Sequence, residues 1–283
     1  MTKPDARTSV IAAARRAGEA SGVSPAVLLA VAIVETDAVP FAEFDGRREP
    51  LVRFEGHVFD RLLAPGRREA ARAAGLASPR AGAIPNPAAQ SARWRLLARA
   101  AAIDSDAAHA ATSWGLGQVM GFHAEALGYE SADALAADAR ESIDGQFRLV
   151  ARFLRRGDVH HRLEAGDVEA FARAYNGPAF RRHAYDVKIA RAFAIARRWL
   201  AEEAVTGASG ARMSDGPGLA KAGPNAAKGW SKPGGGLSQV ISWLFHRFSI
   251  RAPMRSFSIS TGPSSASPTT PPPSVSNPAS STS

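Results

Sequence analysis

"AVLLAVAIVETDAVP", residues 26–40, is the stretch on which the fold class turns. Nine apolar residues, Ala26 to Val34, run without a break into Glu35. Ser24 has the chemistry of an N-cap, and Pro25 suits a first helical position, where a missing N–H costs nothing. The segment therefore reads as a helix by its start as well as its content. A helix that is apolar on nearly every face is a buried one. Glu35 then falls at the edge of a core, where ionisation is disfavoured and a carboxyl pKa rises. Such an acid can donate a proton near neutral pH. The alternative is a helix-end glutamate turned to solvent.

Outward from this helix the pattern stays helical. Asn86-Pro87 opens a helix through "AAQSARWRLLARAAAI", and Ser131 caps "ADALAADA". The stretch "DGQFRLVARFLRRG" stops at Gly157, and Asp167 caps "VEAFARAY" before the stop "NGP". A final helix covers roughly 184–203. Only "FAEFDGRREPLVRFE", residues 41–55, alternates like strands, with Asp45-Gly46 as the turn between two short runs. The expected class is mostly α (α+β), with one small β-hairpin straight after the Glu35 helix and no internal repeat.

Composition changes near residue 204, which predicts a folded domain over 1–203 and a tail over 204–283. The tail is rich in Gly, Pro and Ser and poor in apolar residues, so it is expected to be disordered. An apolar and basic island, "LSQVISWLFHRFSIR" at 237–251, interrupts it. That island reads either as an amphipathic helix lying on a partner or on an anionic membrane or envelope, or as a strand-like sticky segment with no role.

The whole chain sets wider bounds. At 283 residues it can hold one sizeable core and a second small module. It has no cysteine, which excludes a disulfide framework and a thiolate metal site. A formal charge of +9 draws it to polyanions: nucleic acid, anionic lipid or the acidic polymers of a bacterial envelope. The first residues, "MTKPDARTSVIAAARRAGEASG", offer no unbroken apolar stretch, so no secretory signal is expected. No run is long enough to span a bilayer. The expectation is synthesis in the cytoplasm, with any work at the cell wall needing another export or lysis route.

Glu35 needs a partner if it is to do acid chemistry. Glycoside hydrolysis commonly uses two carboxyl groups, one holding a proton for the leaving oxygen and one ionised. The hairpin offers Glu43, Asp45 and Glu55. Glu55 ends the more apolar strand, "LVRFE", beside Arg53 and His57, and is the candidate for a cleft. The alternative is a strand-end glutamate paired with Arg53 or Arg47.

Two further stretches fit a sugar site. "TSWGLGQVMGF", residues 112–122, fails as a dinucleotide fingerprint, because its glycine spacing is loose and no strand precedes it. It reads better as a tight helix start that brings Trp114 and Gln118 to a saccharide-sized groove. "RAYNGPAF" puts Tyr175 and Asn176 at a helix end that Gly and Pro force open, where the alternative is a C-cap with a core tyrosine. His57, His160, His161 and His183 have no metal-ligand spacing, so neither metal nor other cofactor is expected.

In order along the chain, the helix ending in "VE", then "DGRREPLVRFEGHVF", "ATSWGLGQVMGFHAEALGY", "FARAYNGPAF" and "YDVKIARAF" resemble the N-acetylmuramidase domain of bacteriophage and prophage endolysins. The resemblance covers roughly residues 23–200. The "GLGQVMG" and "AYNG" elements are more distantly similar to those of goose-type lysozymes and lytic transglycosylases. The resemblance implies a lysozyme-like helical fold and cleavage of the β-1,4 bond between N-acetylmuramic acid and N-acetylglucosamine in peptidoglycan. It implies that Glu35 is the general acid and Glu55 the second carboxylate. Family members usually continue the first glutamate as "ES-G-G", where this chain has "ETDAVPFAEF". The peptidoglycan-binding module that many endolysins carry ahead of this domain is not expected here.

Two rival functions have different readouts. A lytic transglycosylase would use Glu35 alone and release 1,6-anhydro sugars. A non-catalytic basic protein would bind nucleic acid or envelope, but the arginines are scattered over several helices and no nucleic-acid motif occurs. The expected partner is thus the glycan strand of peptidoglycan, met by a monomer, with no nucleic acid.

Overall fold

The computed structural model describes residues 5–212; the first part of the expected tail, 204–212, is helical, and the expected island at 237–251 lies outside the described residues with the rest of the tail beyond 212. The apolar stretch folds as expected into a buried helix, α2 (Pro25–Thr36), behind α1 (Ala6–Ser21). The Ser24 side chain accepts from the Ala26 N–H, and nine of the twelve α2 residues are buried, which leaves no solvent face to speak of. The chain leaves α2 through two successive left-handed residues, Asp37 (φ 53°) and Ala38 (φ 56°). The Ala38 N–H returns to the Ala32 carbonyl at 2.9 Å, a Schellman-type end.

The expected hairpin forms as β1 (Phe41–Phe44) and β2 (Arg47–Pro50), with Phe44 opposite Arg47. Asp45 and Gly46 both have positive φ, 49° and 70°, as a two-residue turn matched to strand twist requires. The second run is broken in two, however. β3 (Val52–Phe54) leaves the hairpin and joins a separate three-stranded antiparallel sheet, ordered β3-β4-β5, with β4 (Thr112–Trp114) and β5 (Val119–Met120). The stretch expected to be a helix start is therefore a tight strand–turn–strand unit around a 3-10 turn at Gly115–Gly117. Its partner strand lies about 60 residues away, and pairing at that range leaves no local signature.

Helices complete the body: α3 (Gly56–Leu62), α4 (Pro65–Ala73), α5 (Gln90–Ala101), α6 (Ser105–Ala110), α7 (Ala132–Glu141), α8 (Ile143–Arg155), α9 (His160–Glu164), α10 (Val168–Asn176) and α11 (Tyr185–Arg212). Ser131 caps α7 and Asp167 caps α10 as expected, each accepting from the N–H three residues on. Ser142 caps α8 in the same way. α11 continues to Arg212, past the expected end near 203. Asn86 does not open a helix, since α5 starts at Gln90. Instead, Asn86 exchanges hydrogen bonds with both backbone groups of Phe54, at 3.0 and 2.6 Å. Gln90 accepts from the Val52 N–H, and Arg93 donates to the Val52 carbonyl. Side chains thus take the place of a fourth strand beside β3.

The buried residues form two clusters. One joins α1, α2, α8, α10 and α11. The other gathers β3, β4, α3, α5 and α7. α8 serves both, turning Phe147, Val150 and Leu154 to the first and Leu149 to the second. The Gly115–Gly117 turn also crosses between them, because Trp114 packs in the second cluster and Leu116 in the first. Glu35, Gln118 and Tyr175 are all placed by this crossing. Among the described residues no helix is long and apolar enough to cross a membrane.

Candidate active site

Glu35 stands in the last turn of α2, its side chain partly buried. Burial raises its pKa to about 7 from an ordinary 4.5; a hydrogen bond from Tyr185 and the charge of Lys188 pull the other way without cancelling it. The Tyr185 hydroxyl donates to Glu35 Oε1 at 2.9 Å. Tyr185 is fully buried and stacks at 6.2 Å on Tyr175, with Phe171 beyond it. Burial, and then the charge of Glu35, push both phenol pKa values well above the ordinary 10, so both hydroxyls keep their protons. Glu35 is thus a desolvated carboxyl with a hydroxyl donor in contact with it. Tyr185 carries no signal of this in the sequence, since its partner is 150 residues away.

Of the three hairpin-region acids, Glu43 and Asp45 are exposed and Glu55 is buried, 4% accessible. Glu55 Oε1 accepts from Arg53 Nε at 2.8 Å, and its Oε2 lies 3.5 Å from His57 Nδ1. Its N–H donates to the Ala111 carbonyl at 2.8 Å, which anchors the end of β3 to the end of α6. His57 is pushed below its ordinary pKa mainly by burial, with Arg61 and Arg53 adding to the effect and Glu55 opposing it. A further carboxylate, Glu49, is nearly buried on β2 and bound through both oxygens to Arg140 of α7, which fastens the hairpin to the body.

The groups expected at a sugar groove are turned inward. Trp114, expected to offer a stacking face, is 1% accessible; its Nε1–H donates to the His109 carbonyl and its ring meets Trp94 edge to face. Gln118 sits at φ 47°, with its amide donating to the Leu51 and Gly115 carbonyls and accepting from Ser113. The Tyr175 hydroxyl donates to the Gly117 carbonyl at 2.9 Å, and Asn176 is buried at the end of α10. Thr36, next to Glu35, donates to the Leu116 carbonyl at 3.3 Å. Gln118, Tyr175 and Thr36 therefore converge on the backbone of one glycine turn and fix it beside the acid.

Gln146 completes this set, although little in its local sequence singles it out. It is 1% accessible; its carbonyl oxygen accepts from the Leu116 N–H, and its NH2 donates to the Pro40 and Ala139 carbonyls. One amide thus ties the glycine turn, the exit from α2 and the end of α7. The available clue is a lone amide on the apolar stripe of α8 formed by Leu149, Val150, Phe153 and Leu154. Gly115 must stay small for it, because a Cβ there would lie 2.7 Å from Gln146 Oε1 at φ +62°. Gln146→Leu strands two buried backbone groups and the part-buried Pro40 carbonyl, and is expected to cost about 2–4 kcal/mol. Urea unfolding checks this through the midpoint at unchanged slope; a loss under about 1 kcal/mol would remove the clamp.

A mostly helical body, a small antiparallel sheet and a carboxylic acid whose pKa burial raises fit the lysozyme class of glycoside hydrolases, which act on peptidoglycan. Residues 24–197, more than half of the chain, match the N-acetylmuramidase family, and the chain belongs to that family. Among solved structures it is similar to that of the Burkholderia AP3 phage endolysin, at 34% identity and a TM-score of 0.56, covering 66% of this chain and 71% of that one. No curated protein matches the chain.

Proposed function

We propose that this muramidase hydrolyses the β-1,4 bond between N-acetylmuramic acid and N-acetylglucosamine, acting as a phage or prophage endolysin. Glu35 protonates the glycosidic oxygen; Glu55, ion-paired with Arg53, activates water or stabilises the oxocarbenium-like state. The observation that carries the reading is the contrast between the two acids, one desolvated at the end of an apolar helix and one paired with a guanidinium. Gln118 and Tyr175 serve the acid indirectly, through hydrogen bonds to the glycine turn, with Trp114 and Asn176 buried in the packing around them. The enzyme acts alone on the glycan strand of the wall and uses its basic surface to concentrate there. The tail over 204–283 adds to that grip on anionic envelope.

Mass spectrometry of muropeptides released from purified peptidoglycan tests the reaction. Products carrying an added water, with N-acetylmuramic acid at the new reducing end, are expected. Products ending in 1,6-anhydro sugars would replace hydrolysis with transglycosylation.

A further inference from the structure

The spacing of His160 and His161 along the chain carries no metal motif, yet the fold sets a third ligand type beside them. Asp158 stands in the turn between α8 and α9. Its Oδ1 lies 3.9 Å from His160 Nδ1 and 3.3 Å from His161 Nε2. One donor atom from each of the three side chains falls within 4.8 Å of the others. Ligand atoms that are each about 2.0–2.2 Å from a tetrahedral Zn2+ are roughly 3.4 Å from one another. Small side-chain shifts would close the set around an ion.

Two observations distinguish this cluster from a surface ion pair. The first is His160, whose side chain is 8% accessible and whose Nδ1 has no hydrogen-bond partner among the described residues. Buried polar atoms are normally satisfied, and Asp158 at 3.9 Å is too far away to satisfy this one. The second is the other side of His161, where Nδ1 lies 3.3 Å from Glu164 Oε2. A proton on Nδ1 shared with Glu164 leaves the Nε2 lone pair on the side of Asp158. That is the tautomer a metal requires, set by the outer carboxylate that metal-bound histidines generally have.

We propose that Asp158, His160 and His161 bind a divalent transition-metal ion of the Zn2+ class, with Glu164 as the outer carboxylate. Two imidazoles and one carboxylate favour Zn2+, Ni2+ or Cu2+ over Mg2+ and Ca2+. The exposed side of the cluster leaves a fourth position for water. The ion would pin the end of α8 to the start of α9, the short helix that leads into α10 and its Tyr175.

The test uses the full chain, stripped with chelator and titrated with Zn2+ by calorimetry, with Co2+ followed by visible absorption as an independent probe. One Zn2+ per chain is expected, with the visible bands of a low-symmetry Co2+ site and a Zn2+-dependent rise in melting temperature. Asp158→Asn and His161→Ala change exposed side chains and spare the core. Each is expected to weaken binding at least tenfold and to suppress the rise in melting temperature, and Glu164→Gln to weaken binding by about tenfold. Absence of stoichiometric binding at millimolar Zn2+ would overturn the site. So would a parent affinity that survives in Asp158→Asn and His161→Ala, because the ion would then be held by other groups.

Discussion

Glu35→Gln is expected to reduce hydrolysis of purified cell walls by about 10³-fold or more, since glutamine has no proton to give and the general acid's share of the rate is lost. The parent enzyme should lose activity as pH rises through about 7, where burial places the Glu35 pKa. The same burial makes a prediction about stability. The unfolded carboxyl titrates near 4.5 and the folded one near 7, so the folded state prefers the neutral form. Below pH 4.5 both states are protonated and nothing is lost; between 4.5 and about 7 the parent loses stability progressively, and above that the loss is constant. Its size is at most about 3 kcal/mol. Glu35→Gln carries no such penalty, so at pH 8 the inactive variant should melt higher than the parent, whereas near pH 4 the two should coincide. Activity within about tenfold of the parent would remove Glu35 from the chemistry. Equal melting at every pH would contradict the desolvation that gives the acid its proton.

Glu55→Gln should give the second largest effect, a fall in turnover of about 10²-fold or more. Here the stability change has the opposite sign. Glu55 is buried against the part-buried Arg53, and removing its charge weakens a charge-assisted hydrogen bond, at a cost of about 1–3 kcal/mol. A slow enzyme could then be merely an unstable one, so a double variant is needed. Arg53→Met with Glu55→Gln removes both charges and should recover much of the stability while recovering none of the activity. If activity returned with stability, Glu55 would be a structural anion only. Glu43→Gln is the control, because its carboxylate is exposed on the hairpin and should change neither property.

What could be read in the sequence was what is decided locally. Ser24 and Pro25 start α2, Asp45-Gly46 turns the hairpin, and Ser131 and Asp167 cap α7 and α10, because a cap or turn needs only residues three or four apart. Glu35 was legible for a related reason: an apolar run on all faces predicts burial, and burial predicts the raised pKa. What stayed hidden depends on distant partners. Asn86 looks like a helix opener until Phe54 is beside it, and Glu49 looks like a surface acid until Arg140 meets it. Trp114 and Gln118 have the chemistry of saccharide contacts, and only the packing of β4 against β3 and α6 turns them inward. The departure from the family's glycine pattern after Glu35 also becomes intelligible. Asp37 and Ala38 take the left-handed conformations that glycine enters without strain, and two backbone hydrogen bonds hold them there.

The side-chain strip beside β3 has a consequence for how many copies of the protein can coexist. An open strand edge is a template on which another chain can add a strand, and that is a route to aggregation. In this sheet the outward backbone groups of Val52 and Phe54 are taken by Asn86, Gln90 and Arg93, and the opposite edge, β5, is only two residues long. Neither edge offers a register for a neighbouring molecule. Concentrated stocks should therefore resist edge-to-edge association at this sheet, and Asn86→Ala, by reopening Phe54, marks the place where it would begin.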